Sequence, residues 1–188
     1  PMMQAMAIAF PENSELAAIE DQYLFCDDFL VNPVLEEGAT SRDVSLPSGM
    51  WYDLWSGGKL EGGVTVNAAA DVEKIPVYVK SGAVIPLTLN SQLALGEKIT
   101  EGEETKCLLI TPPESERTSV YNIDEENSAN YKSLPVDNSS FMIMSSQGNT
   151  ANCLTVYGEK ITGITVDGKQ LSKLESKPSS ADSEGFYV

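Results

Sequence analysis

The hydrophobic pattern divides the chain into an apolar opening and a long run of short alternating pieces. From Met2 to Phe10 every position except Gln4 is apolar, which predicts a strand buried on both faces. On that reading Met2, Met3 and Met6 are core filler. Pro11 ends the run. Asn13 or Ser14 is placed to cap a short helical turn through Glu15-Leu16-Ala17-Ala18-Ile19, because a side-chain oxygen there accepts from unsatisfied first-turn N–H groups. A second apolar stretch, Leu24 to Leu35, is interrupted by Asp27-Asp28 and Asn32-Pro33.

Beyond Leu35 the punctuation is that of a β protein. Gly38, Pro47-Ser48-Gly49, Gly57-Gly58, Gly62-Gly63, Pro76 and Gly82 recur every few residues. Between them lie predicted strands at residues 43–46, 50–55, 64–66 and 75–79. Composition shifts near Leu89 towards Ser, Asn and Glu, and further strands are predicted at 106–111, 119–123, 141–145, 153–157 and 161–166. Short strands with regular turn signals predict an all-β, antiparallel sandwich architecture. Gly57-Gly58 predicts one hairpin turn. Val166-Asp167-Gly168-Lys169 predicts another, of type I′, because Asp-Gly accepts positive φ at both central positions. The Ser- and Pro-rich last dozen residues are expected to fray. No helix beyond about two turns and no fixed-period repeat is predicted.

Composition narrows the chemistry. With 188 residues the chain is too short for a complete (β/α)8 barrel, which takes about 250. There are 28 acidic against 12 basic residues, a formal charge of −16. This excludes a nucleic-acid surface, which needs cations to neutralise phosphates, and a polybasic membrane anchor. No apolar run approaches the ~20 residues of a membrane-spanning helix. Histidine is absent, so Ser-His-Asp and Cys-His catalysis and His-containing zinc sites are excluded. Cys26, Cys107 and Cys153 show no CxxC spacing and are expected to be buried reduced thiols, which favours a reducing, cytoplasmic compartment. No cofactor and no metal site is expected.

Three segments carry a resemblance. The first is Pro1-Met2-Met3-Gln4-Ala5-Met6 with Phe10-Pro11. The second is Gln22-Tyr23-Leu24-Phe25-Cys26-Asp27-Asp28-Phe29-Leu30-Val31-Asn32-Pro33-Val34. The third is Leu46-Pro47-Ser48-Gly49-Met50-Trp51-Tyr52-Asp53-Leu54-Trp55-Ser56-Gly57, continuing into residues 75–86. In this order they resemble the C-terminal part of glycoside hydrolase family 31, the α-glucosidases, α-xylosidases and relatives. The resemblance covers residues 1 to about 88, and beyond that Tyr121 to Asn127 is a degraded echo of an acidic turn. It implies that residues 1–20 are the short remnant of a (β/α)8 barrel, 21–88 a proximal β-sandwich and 89–188 a distal β domain. It also implies a parent that hydrolyses terminal α-linked glucose or xylose with retention. The family's two catalytic Asp residues and a substrate-binding His lie upstream of the segment matching Pro1, so no catalytic residue is assigned here. The implied partners are the upstream barrel and its carbohydrate substrate. Without the barrel, Met2 to Phe10 is expected to be disordered, to re-dock on the sandwich, or to pair with a second molecule. Two departures stand out: Gln4 replaces an Arg common in the family, and Cys26 replaces a Gly.

Two local features remain to be placed. The acidic doublets Asp27-Asp28, Glu36-Glu37, Glu103-Glu104 and Glu125-Glu126 point to opposite faces of a strand and do not make a dyad. Asp27-Asp28 interrupts an apolar run, so one carboxylate is expected to be bonded to backbone or to a barrel partner. Strand alternation puts Trp51 and Trp55 on one face with Asp53. The alternative reading is therefore a stand-alone carbohydrate-binding sandwich using Trp51, Asp53 and Trp55, while the other possibility is that these rings fill the core.

Overall fold

The computed structural model describes residues 2–122, 128–145, 153–158 and 161–172. Glu125-Glu126, most of the acidic echo after Tyr121 and the Ser- and Pro-rich C-terminal end lie outside them. The first unit comprises β1 (Met3–Ala5), α1 (Met6–Ala9), α2 (Ser14–Ala17), β2 (Tyr23–Phe25), β3 (Phe29–Val31), β4 (Ser41–Leu46), β5 (Met50–Asp53), β6 (Lys59–Glu61), β7 (Val64–Ala69) and β8 (Val77–Lys80). A six-stranded sheet has the order β1-β2-β3-β8-β5-β6, and the β4–β7 pair faces it. Every described pairing in these two sheets is antiparallel. Leu24, Leu30, Trp51 and Tyr78 from the large sheet meet Val44, Leu46 and Ala68 from the pair, and Met6 and Leu16 close one end.

The opening segment departs from the predicted buried strand. Only Met3–Ala5 is strand, at the sheet edge, and the chain then coils into α1. Ala and Met favour helix, and the described chain supplies nothing to cover a strand on both faces. Met6 is fully buried, but Met2 and Met3 are 67% and 57% exposed, so they are not core filler. The predicted helical turn is present. The Asn13 side chain accepts from the backbone N–H groups of Glu15 and Leu16, both at 3.1 Å, and starts α2. The Gln22 side chain then mimics a peptide, donating to the Ser45 carbonyl and accepting from the Ser45 N–H, which fastens the start of β2 to β4.

The second unit comprises β9 (Val84–Leu89), β10 (Thr105–Ile110), β11 (Arg117–Asn122), β12 (Ser128–Asp137), β13 (Ser140–Ser145), β14 (Cys153–Val156), β15 (Thr165–Val166) and β16 (Lys169–Gln170). Its sheets are β14-β10-β9 and β11-β12-β13. Val84, Leu108, Ile110, Ala129 and Tyr131 fill the space between them. Among the described residues one pairing breaks the antiparallel expectation: β14 runs parallel to β10. β9 pairs along its whole length with β10, so the crossing between units falls at Ser81-Gly82-Ala83. The Asp167-Gly168 turn is of the predicted kind, with φ of 49° and 79° between the paired residues Val166 and Lys169. The Gly57-Gly58 hairpin is present too, but its loop spans residues 54–58, closed by bonds from Asp53 N to Gly58 O and from Gly57 N to Asp53 O.

The crossing is tied down on every side. Ser81 Oγ donates to the Pro112 carbonyl, Thr111 Oγ1 to the Lys80 carbonyl, and Ser133 Oγ to the Gly82 carbonyl. Gly82 itself has φ +75°, and an added Cβ would lie 3.1 Å from Ser133 Oγ, 3.2 Å from Pro113 Cβ and 3.3 Å from Arg117 Cβ. Gly82→Ala therefore meets both a left-handed backbone penalty and overpacking. We expect a loss of about 2 kcal/mol, read as a lower urea midpoint with an unchanged m-value.

Candidate functional site: a buried carboxylate between the two units

The β2–β3 hairpin turns through Cys26 and Asp27, both left-handed at φ 52° and 61°. At Cys26 an L side chain is held in a backbone conformation that glycine takes without strain. Cys26→Gly should stabilise the chain by up to about 1 kcal/mol, relief of the strain being partly offset by glycine's larger unfolded-state entropy. A thermal melt of the two forms checks this.

The tight turn separates the two carboxylates of the doublet. Asp27 is exposed and Asp28 is 3% exposed. Asp28 accepts from Arg117 on one oxygen and from the Tyr121 hydroxyl on the other. Arg117 also donates to the Asp27 carbonyl. The expectation of a backbone or barrel partner is thus corrected: both partners lie on β11, in the second unit. Burial raises the Asp28 pKa above the ordinary carboxylate value, against the lowering influence of Arg117, Tyr121 and Lys80. Burial and the neighbouring Arg117 lower the Lys80 pKa, with Asp28 and Asp27 opposing. Burial, then Asp28, pushes the Tyr121 hydroxyl well above its usual range. These groups are committed to one another. Both Asp28 oxygens are engaged, almost no carboxylate surface reaches solvent, and the cluster joins β2–β3 of the first unit to β11 of the second.

The three residues of the sugar-platform alternative are placed as follows. Trp51 is fully buried in the first core, its Nε1 donating to the Pro47 carbonyl at 2.8 Å. It offers no face for a sugar to stack on. Asp53 Oδ1 accepts from Trp55 N, Ser56 N and Ser56 Oγ, shaping the turn after β5. Trp55 lies in that turn, beyond the strand, with Nε1 bonded to the Ile75 carbonyl and Lys74 Nζ 5.5 Å from the ring centroid. The structure does not bring the two indoles together as a platform, because β5 ends at Asp53 and alternation stops there. Tyr52 points the other way, its ring centroid 6.4 Å from that of Tyr157. Tyr157 donates to the Leu54 carbonyl across the unit boundary, and burial followed by Asp53 pushes its pKa up to about 12.

The other feature is a shallow groove of about 480 Å³ where the opening segment meets β2, lined in part by Met3, Gln4, Ile19, Gln22 and Tyr23. Gln4 contributes a neutral amide there. Among the described residues no group of three or more Cys, Asp or Glu is arranged to hold a metal ion.

Comparison with known proteins agrees with this architecture. Residues 1–85 match the glycosyl hydrolase family 31 C-terminal domain. An isomaltosyltransferase of Sporosarcina globispora is 37% identical over 53% of this chain and 9% of its own length. An alpha-xylosidase of Saccharolobus solfataricus is 34% identical over 55% of this chain and 13% of its own length. The solved cycloalternan-forming enzyme from Listeria monocytogenes, in complex with a pentasaccharide substrate, superposes with a TM-score of 0.80 at 28% identity. That match covers 99% of this chain and 18% of that one. The chain thus spans about a tenth of the length of these two curated relatives. Over residues 1–85 the chain is thus similar to the C-terminal domain of glycosyl hydrolase family 31.

Proposed function

We propose that this chain is the C-terminal brace of a longer retaining α-glycosidase acting on terminal α-linked glucose or xylose. The observation that carries the reading is the family match over residues 1–85, in a chain that spans only a small share of its relatives. The structure supplies a physical rationale. Met2, Met3 and Ile8 expose apolar surface beside the groove, Ile8 being 69% exposed. Such a cluster is expected where another part of a protein packs. On this reading residues 1–20 are the last piece of the barrel, and the barrel packs on that flank. The two units behind it are held rigid by the Asp28–Arg117–Tyr121 cluster.

The pair of carboxylates that a retaining mechanism needs, about 5–5.5 Å apart across the scissile bond, belongs to the upstream barrel. Within this chain Asp28 is buried, and Glu36-Glu37 and Glu103-Glu104 are solvated. The purified 188-residue chain should leave 4-nitrophenyl α-glucoside and α-xyloside intact. Turnover that follows the pure protein through chromatography would overturn the reading. The same apolar flank, uncovered, is expected to make the isolated chain self-associate, which light scattering across a concentration series reports.

A further inference from the structure

Two of the three thiols meet inside the second unit. Cys107 on β10 and Cys153 on β14 are register partners in the parallel ladder, and their side chains are hydrogen-bonded to each other. Neither is in a disulfide. Neighbouring strands run about 4.8 Å apart, and register partners send their Cβ atoms to the same face. The ladder therefore supplies the roughly 4.4–6.8 Å Cα separation that a disulfide takes. Cys107 is 2% exposed, whereas Cys153 is only partly buried, on a strand at the edge of its sheet. Alternation puts the pair on the face that carries Leu109 and Tyr157, which pack with Val79 and Leu54 of the first unit.

We propose that Cys107 and Cys153 form a redox site, a dithiol closed to a disulfide by a hydroperoxide. Cys153 is the sulfur an oxidant reaches. As a thiolate it attacks the peroxide: an S–O bond forms, the O–O bond breaks, and hydroxide leaves, giving a sulfenic acid. The Cys107 sulfur then attacks Cys153 Sγ. The S–S bond forms, the S–O bond breaks, and the hydroxyl departs with the Cys107 proton as water. With hydrogen peroxide, two thiols and one peroxide give one disulfide and two waters. The hydrogen bond to Cys153, together with burial, holds the Cys107 thiol well above its usual pKa, so the first attack on peroxide falls to the more accessible Cys153. The bond would cross-link β14 to β10 around the chain that carries β11, β12 and β13. It would also fix the strand from which Tyr157 reaches the Leu54 carbonyl.

The test treats the reduced full chain with hydrogen peroxide, alkylates the remaining thiols and maps the peptides by mass. A Cys107–Cys153 peptide lacking two hydrogen atoms and restored by dithiothreitol is expected, in wild type and in Cys26→Ser. It should be absent from Cys153→Ser. The closed form should melt roughly 5–10 °C above the reduced form. Cys153 halting at sulfinic acid, pairing with Cys26, or bridging to a second chain would overturn the proposal. So would both thiols remaining alkylatable in Cys26→Ser, a result that needs no variant of the pair itself. A closed form that melts no higher would overturn the clamping role.

Discussion

Trp51→Ala should lower the stability of the chain by about 4 kcal/mol, within the range measured for large aromatic truncations in a core. The indole is the largest fully buried side chain in the molecule's described core. It packs among Leu30, Val44, Leu46 and Tyr78, and its removal leaves both a cavity and a Pro47 carbonyl without its donor. A small β domain has a total of roughly 5–15 kcal/mol to lose, so the variant should be near its unfolding threshold at room temperature. Urea unfolding followed by tryptophan fluorescence, with Trp55 as the remaining reporter, measures it. A loss below about 1 kcal/mol would mean that the indole is not the keystone of the first core.

Asp28→Ala is the second large effect, about 3 kcal/mol at neutral pH. It strands the Arg117 guanidinium and the Tyr121 hydroxyl in a part-buried site, and breaking one side of a buried pair costs more than the pair itself contributes. Arg117 keeps 20% of its side-chain surface, so some water returns to it and the cost falls at the low end of the usual range. Arg117→Ala on the Asp28→Ala background should add much less than it costs alone, because the two share one interaction. The pH dependence has a definite sign. Net burial raises the folded pKa of Asp28 above its unfolded value, so the folded state holds that proton more tightly. The group's contribution is complete below the unfolded pKa of about 3.9 and is lost as pH rises through the higher folded value. The stability of wild type relative to Asp28→Asn should therefore fall as pH is raised from about 4. A rise over that window would show that the ion pair outweighs burial.

Local signals in the sequence translated well, and long-range ones did not. The Asn13 cap, the Asp167-Gly168 turn and strands such as β4, β5 and β10 follow from a few neighbouring residues. β12 is not legible locally, since its Pro135 is a residue that strand interiors disfavour. The sheet accommodates it with a register shift between Pro135 and Asp137 near the strand end. β9 carries Pro86 opposite Leu108, and its place in the second unit is decided by pairing rather than by composition. The partners of Asp28 are 89 and 93 residues away, so the interruption of an apolar run showed that a partner was needed without showing which. The parallel placement of Cys107 beside Cys153 has no local signature at all. For the indoles, alternation holds only from Trp51 to Asp53, where β5 ends, and Trp55 belongs to the turn.

The most direct test of the central claim is the mass of the native polypeptide carrying this sequence, captured from its source with an antibody raised against the chain. A brace on a catalytic barrel predicts a single polypeptide much larger than 188 residues, since the barrel alone takes about 250. A native protein of only these 188 residues, binding a saccharide or nothing, would contradict it.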